Sequence, residues 1–418
     1  MGNRPKVLLV LGAGPDQLPA YRQARRMGCA VVGTDQRSDA PGAVLADRFL
    51  PVSVRDPAGI VAALGGSRVD GVIAPAIDVA QPALQALADH YDTPWRPSSR
   101  AVLASVDKGA FRQVLEGLPY PRVRFAQSAS ATELLRAAKR LHYPLVAKPA
   151  DASGSKGVET VRSKADLPAA IERSQRFSYG GEVIVEELVE GRHLSVECFL
   201  RGGGVAFAAV SERRHTGPPH FLPTSYLLPA RLDQATRSAV VRMLEGICRA
   251  VKLDAGPVAF DLVLGKREAY PIEMGARLGG NGIANLLHAA YGVNVVEAAI
   301  HLALGEPFAL VPRWRRAAML RVLGSDSSGT LAAIHGREEL LAAPTTEHLE
   351  VYPTVGSPVA AYTTASNKVA ILVLAGDTHD EVMAAEAAAA RTLRFEVEEP
   401  AAGDPRPVRP RRPGAAIE

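Results

Sequence analysis

Leu145-Val146-Ala147-Lys148-Pro149-Ala150-Asp151-Ala152-Ser153-Gly154-Ser155-Lys156-Gly157-Val158 is the stretch on which the reading of the fold turns. A short apolar run reads as a buried strand and delivers Lys148 at its end. The glycines and serines at 153–157 form a loop that can wrap backbone N–H groups around phosphates, with lysines to neutralise charge. The spacing is not that of a P-loop, because no Gly-Lys-Ser/Thr opens a helix. Taken alone, the stretch also describes a flexible hairpin turn.

Three further segments follow downstream. Val185-Glu186-Glu187-Leu188-Val189-Glu190-Gly191-Arg192-His193 reads as a strand running into a short acidic segment. Its exposed backbone could meet an adenine edge, or it could be a solvated turn between strands. Strands are expected at 258–264 and 268–274, as a hairpin turning at 265–267. That pairing would set Asp261 and Glu273 on one face, with Arg277 just beyond. Two hard oxygen ligands suit Mg²⁺. The alternative is a cross-strand acid pair beside an arginine salt bridge. His215 and His220 flank Pro218-Pro219 in what reads as a solvated loop, and they have no helical His partners that would make a metal set.

Upstream, the apolar run at 6–11 ends in Gly12-Ala13-Gly14, and Asp35 follows a second strand at 30–33. Strands buried on both faces and alternating with helices, at 15–27 and 79–90, imply a parallel sheet. The glycines imitate a dinucleotide fingerprint, but its last position is Gln17, so a plain tight strand-to-helix turn is the better reading. Lys108 opens a helix, and Ser130 with Glu133 forms a capping box for the next one. Helices are expected at 164–174, 233–251 and 283–304. Beyond 313, short strands spaced by glycines lead to a helix capped by Thr378 and Glu381.

The chain has 418 residues, too many for one ordinary core. Hydrophobic residues make up 47% and charged residues 22%, which excludes disorder of the whole chain. The net charge is only +4, and half of it sits at 401–418, where Arg406, Arg409, Arg411 and Arg412 face Asp404 and Glu418. That argues against a nucleic-acid partner. Cys29, Cys198 and Cys248 form no CxxC pair, so neither a zinc ribbon nor a disulfide scaffold is expected, and a reducing compartment fits. No apolar stretch is long enough to span a bilayer, and the expected location is cytoplasmic.

Taken together and in order, these motifs resemble the ATP-grasp superfamily of carboxylate–amine ligases over residues 5–400. The match rests on Gly12-Ala13-Gly14-Pro15, Asp107-Lys108, Leu145 to Pro149, the 153–157 loop, Val185 to Gly191, Asp261 and Ile272 to Arg277. The organisation is most similar to the branch holding biotin carboxylase, carbamoyl phosphate synthetase and the L-amino acid ligases. The resemblance implies that Lys108 and Lys148 contact ATP phosphates, and that Ser153, Gly154, Ser155, Lys156 and Gly157 form a mobile lid loop. It implies that Glu186, Glu187, Leu188 and Val189 form the adenine hinge, with His193 where an acidic ribose partner is common. Asp261 and Glu273 would bind Mg²⁺, and Arg277 would stabilise an acyl phosphate. The family usually carries asparagine where this chain has Gly275, so water, Asn281 or one metal fewer must compensate.

The fold so implied is a multidomain α/β and α+β ATP-grasp fold. A parallel α/β domain at 1–95 precedes a central domain at 96–143 and 213–312. A lid at 144–212, a C-terminal α+β domain at 313–399 and a disordered tail at 400–418 complete the chain. The implied activity joins a carboxylate to an amine at the expense of ATP, with amino acids or small peptides as substrates. A bicarbonate-activating enzyme and a non-catalytic nucleotide-binding protein are the alternatives. Substrate selection is expected from Glu212, Arg213, His220, Arg277, Gly280 and Asn281, a set that could equally be a solvated basic loop in its first part. The default assembly is a homodimer with small-molecule partners, and neither nucleic acid nor membrane.

Overall fold

The computed structural model describes residues 4–218, 220–266 and 268–398. The proposed tail at 400–418 lies outside them. Within these residues the chain forms two compact units. The first draws on 4–122, 191–212 and 228–315, the second on 123–190, 213–227 and 316–398.

The first unit opens on the expected parallel sheet, in the order Arg48–Leu50, Ala30–Thr34, Val7–Leu11, Gly71–Ile73. The edge strand Arg48–Leu50 gave no sequence signal: it is three residues long and carries one buried side chain. Leu9, Leu11, Ile60, Val72, Leu84 and Leu87 form the core beneath this sheet. The same unit holds an antiparallel set in the order Ala269–Gly275, Gly256–Leu264, Arg192–Arg201, then residues 204–212. The helices Lys108–Glu116 and Gln234–Ala250 cover it, burying Phe111, Leu115, Leu244 and Ile247 against Val196, Leu200 and Phe260.

Two expectations change here. The strand Arg192–Arg201, read as part of a lid reaching residue 212, pairs along its length with Gly256–Leu264. Its buried residues Leu194, Val196, Cys198 and Leu200 face the core of the first unit. The single helix expected at 283–304 is two, Ile283–Tyr291 and Val295–Ala303, bent by 113°. Gly292 adopts φ 68°, which ends the first helix, and the Asn294 side chain accepts the Glu297 N–H to start the second. No single helix among the described residues is long and apolar enough to cross a membrane.

The second unit contains a four-stranded antiparallel sheet ordered Phe125–Ser128, Val183–Glu187, Leu145–Pro149, Glu159–Val161. Helices Ala131–Ala137 and Leu167–Gln175 close its core through Leu134, Leu167 and Ile171. Its remaining strands include the antiparallel run Ala317–Gly324, Lys368–Gly376, Thr346–Val351, with a smaller sheet built on Gly329–His335. Both expected capping boxes form by half. Ser130 and Thr378 accept the N–H groups of Glu133 and Glu381, but those glutamates bond Ser128 Oγ and the Asp377 N–H instead of reaching back.

Candidate functional site

The residues singled out above fall into two groups, one in each unit. In the second unit, Lys148 is the penultimate residue of the strand Leu145–Pro149, and its Nζ lies 2.5 Å from Glu186 Oε2 on the adjacent strand. Both side chains are buried, so each charge is held by the other in a poorly solvated setting. The Glu186 side chain therefore faces inward to the lysine, not outward to a base. Beyond it, the Glu187 N–H donates to the Arg124 carbonyl at 3.0 Å and the Leu188 N–H to the Pro144 carbonyl at 2.9 Å. Those two donors hold the strand ends, and the Val189 amide is the next along the segment. The Glu187 carboxylate turns to Arg124 and the His142 N–H.

Residues 153–157 form a turn in which Gly154, Ser155 and Gly157 all take positive φ. Ser174 Oγ donates to the Gly157 carbonyl and fixes its far end. Ser155 Oγ reaches the Phe221 carbonyl at 3.4 Å. Asp151, which the sequence gave no reason to single out, accepts from Ser178 Oγ and the Tyr179 and Gly180 N–H groups. Arg213 and His215 lie on the strand Gly204–His215, and His220 in the turn before Pro223–Leu228. The segment read as a loop is thus largely a hairpin. Burial, and then Arg213, lowers the His215 pKa from its ordinary value.

In the first unit the hairpin Gly256–Leu264 and Ala269–Gly275 puts Asp261 opposite Glu273, as the sequence led us to expect. Directly opposed residues of an antiparallel pair share a face. The register slips immediately after this pair, leaving Ile272 as an extra residue beside Glu273. The fully buried Arg112 secures that bulge by donating to the Pro271 and Ile272 carbonyls at 3.2 and 2.9 Å. On the same helix, Lys108 Nζ stands 3.1 Å from Glu273 Oε1. Asp107 caps that helix on the Ala110 N–H, which fixes where Lys108 leaves the backbone.

Arg277 follows, with its Nε and Nη2 bonded to Asp78 Oδ1 and Oδ2 at 2.8 and 3.0 Å. Burial works against its charge, yet Asp78, Glu197 and Glu273 outweigh that and raise its pKa. Glu197, buried on the strand Arg192–Arg201, accepts the Gly279 N–H at 3.2 Å. Burial pushes the Glu197 carboxyl up to about 7; Arg277 and the Gly279 N–H pull it down, and Asp261 adds to the rise. The Asn281 N–H donates to Asp16 Oδ1 at 2.7 Å, and the Ala76 N–H to the Leu278 carbonyl. Arg277, Gly280 and Asn281 therefore gather beside the glycine turn of the first sheet. Glu212 lies elsewhere in this unit, paired with Arg192 on the neighbouring strand. His193 pairs in register with Val263.

That glycine turn is structural. The Gln17 side chain accepts the Gly14 N–H and donates to the Pro75 carbonyl, filling the turn. Asp35 accepts the N–H groups of Ala13 and Arg37. Asp78, Glu197 and Arg112 were not legible in the sequence. Each works through a partner 82 to 199 residues away, and no local motif encodes such a pairing.

The residues fit Mg²⁺ on donor chemistry. Asp261 and Glu273 offer carboxylate oxygens on one face. Among the described residues there is no cluster of three or more His, Cys, Asp or Glu for a metal. Mg²⁺ commonly takes one or two carboxylates and completes its shell with phosphate oxygens and water.

Known proteins resemble this chain in sequence and in fold. Residues 141–285 match the model of the ATP-grasp domain, and residues 321–398 that of L-amino acid ligase C-terminal domain 2. An uncharacterized protein of Sinorhizobium fredii is 30% identical over 63% of this chain, and the chain spans 55% of that relative's length. A formate-dependent phosphoribosylglycinamide formyltransferase of Synechococcus sp. is 28% identical over 84% of this chain and 89% of its own. The crystal structure of L-amino acid ligase from Bacillus licheniformis superposes with TM-score 0.82 at 22% identity, covering 95% of this chain and all of that one. The fold is therefore the ATP-grasp fold.

Proposed function

From a chain that carries an ATP-grasp domain and an L-amino acid ligase C-terminal domain, we propose an ATP-dependent carboxylate–amine ligase that acts on amino acids or small peptides. ATP-grasp enzymes use ATP and Mg²⁺. The observation that carries the choice of substrate is the match of residues 321–398 to the L-amino acid ligase C-terminal domain. The domain boundaries are proposed as read from the sequence with three changes: the sheet bearing Lys148 begins at Phe125, it ends at Glu187, and residues 213–227 group with the second unit.

A carboxylate is a poor acyl donor, so one of its oxygens attacks the γ-phosphorus of ATP. The bond from that phosphorus to the ADP oxygen breaks, giving ADP and an acyl phosphate. The amine nitrogen then attacks the acyl carbon, the carbon–oxygen bond to phosphate breaks, and the amine loses a proton. The difficulty is electrostatic, because an anion must approach a polyanion. Lys148 and residues 153–157 are assigned to the phosphates, and the segment 186–189 to the purine, with the Val189 amide as its donor. Asp261 and Glu273 are assigned to Mg²⁺, which when bound screens phosphate charge. Lys108 balances Glu273, and Arg277 is assigned to the acyl phosphate. The Asp16, Gly280 and Asn281 cluster beside Arg277 is assigned to substrate recognition.

A second reading takes formate as the carboxylate and a phosphoribosylated amine as acceptor, favoured by the 28% identity over 89% of the Synechococcus relative. A phosphate-release screen of amino-acid pairs, run beside formate with phosphoribosylglycinamide, separates the two. Release that needs two amino acids, with a dipeptide mass in the product, supports the first reading. Release only with formate and the phosphoribosylated amine refutes it.

A further inference from the structure

The glycine at 275 has a spatial cause. Its φ lies outside the left-handed region, so the backbone would accept any side chain there. The space would not: a Cβ at 275 would lie 2.7 Å from Asp78 Oδ1 and 3.0 Å from Arg277 Cζ. Asp78 occupies the notch that this glycine leaves, and it grips Arg277 through two parallel hydrogen bonds. A bidentate carboxylate fixes the plane of a guanidinium as well as its position. Asp78 sits on a turn braced by its neighbours. It opens the turn Asp78–Ala80, and the buried Gln81 just after it donates to the Ala74 and Ile77 carbonyls on either side of the bend. The Arg277 Nη1 reaches the Leu278 carbonyl at 3.4 Å, which leaves further guanidinium hydrogens to point at a ligand.

We propose that Asp78 is the positioning residue of Arg277, and that Gly275 is glycine because a larger side chain would displace that clamp. The assignment rests on Arg277 acting on the acyl phosphate, as proposed above. It also accounts for the missing asparagine, since the volume such a side chain would enter is already taken by the Asp78–Arg277 pair.

The test is a cycle of Asp78→Asn, Gly275→Asn and the double variant, read by kcat, by KM for ATP, and by the ¹⁵Nε–H resonance of Arg277, assigned with Arg277→Lys. Each single variant should lower kcat tenfold or more while KM for ATP stays within twofold. The double variant should fall no more than threefold below the worse single, because both changes break one clamp. Gly275→Ala is the milder substitute if Gly275→Asn does not fold. The Arg277 Nε–H signal, slow to exchange in the wild type, should broaden or disappear in both single variants. Wild-type kcat in Gly275→Asn, losses that multiply in the double variant, or an unchanged Arg277 signal in Asp78→Asn would overturn the proposal. The resonance needs no substrate. If no carboxylate and amine support turnover by the wild type, the ligase reading fails, and the signal alone still decides the clamp.

Discussion

At the level of single residues, the proposed site depends on charges that the fold has buried in pairs. Removing one member of a buried pair costs about 3–5 kcal/mol, whereas replacing both with apolar groups is often neutral. Lys148→Met should therefore destabilise the protein by about that amount, and Lys148→Met with Glu186→Leu should recover most of it. Turnover should stay at least 100-fold down in both, because the ammonium is gone. Denaturation midpoints beside ADP release check this; a double variant that regains activity would show that Lys148 serves only the fold. Glu197 gives a pH signature. Its carboxyl titrates near 7 in the folded protein against an ordinary value of 4.5. The folded state therefore binds the extra proton between those values, and stability from this group is present at low pH and lost as pH rises through 7. Glu197→Gln should remove that loss, gaining up to about 3 kcal/mol relative to wild type between pH 4 and pH 8. Chemical denaturation at a series of pH values reads it, and parallel curves for the two proteins would contradict it.

At the scale of elements, the sequence carried those whose signal is local. The run Val7–Leu11, the strand bearing Lys148 and the hairpin bearing Asp261 and Glu273 lie where their apolar patterns place them. What was illegible is non-local or small. Arg48–Leu50 is too short to show a period. Arg192–Arg201 forms a hairpin with the strand that follows it, but its other partner is a strand more than fifty residues on, and nothing local in sequence says which sheet the hairpin joins. The break at Gly292 was hidden because apolar helical spacing continues on both sides, at Leu286, Leu287, Val295 and Val296. It is testable. Gly292→Ala forces a side chain into φ 68°, with its Cβ 2.9 Å from Arg313 Cβ. The strain should exceed the ~1 kcal/mol typical of glycine-to-alanine effects and lower the melting midpoint by several degrees. A midpoint equal to wild type would mean that the bend does not depend on this residue.

At the scale of the whole molecule, motif order carried more than any one motif did. The Lys148 strand, the 153–157 loop, the 186–189 segment and the Asp261–Glu273 hairpin are each ordinary alone, and the ATP-grasp domain match spans all of them. The Asp78–Arg277 pair and the Glu197 bond to Gly279 lay beyond reach, because folding alone brings residues so distant in sequence together. Together, as proposed, these parts activate a carboxylate through phosphoryl transfer and pass it to an amine. This is tested most directly by identifying the nucleotide and phosphate products when purified protein, Mg²⁺, ATP and pairs of amino acids are combined, with mass spectrometry of the organic product. The proposed ligase should give ADP and inorganic phosphate in equal amounts, only when carboxylate and amine are both present, together with the amide they form. Release of AMP and pyrophosphate, or ADP formation indifferent to any carboxylate, would contradict it.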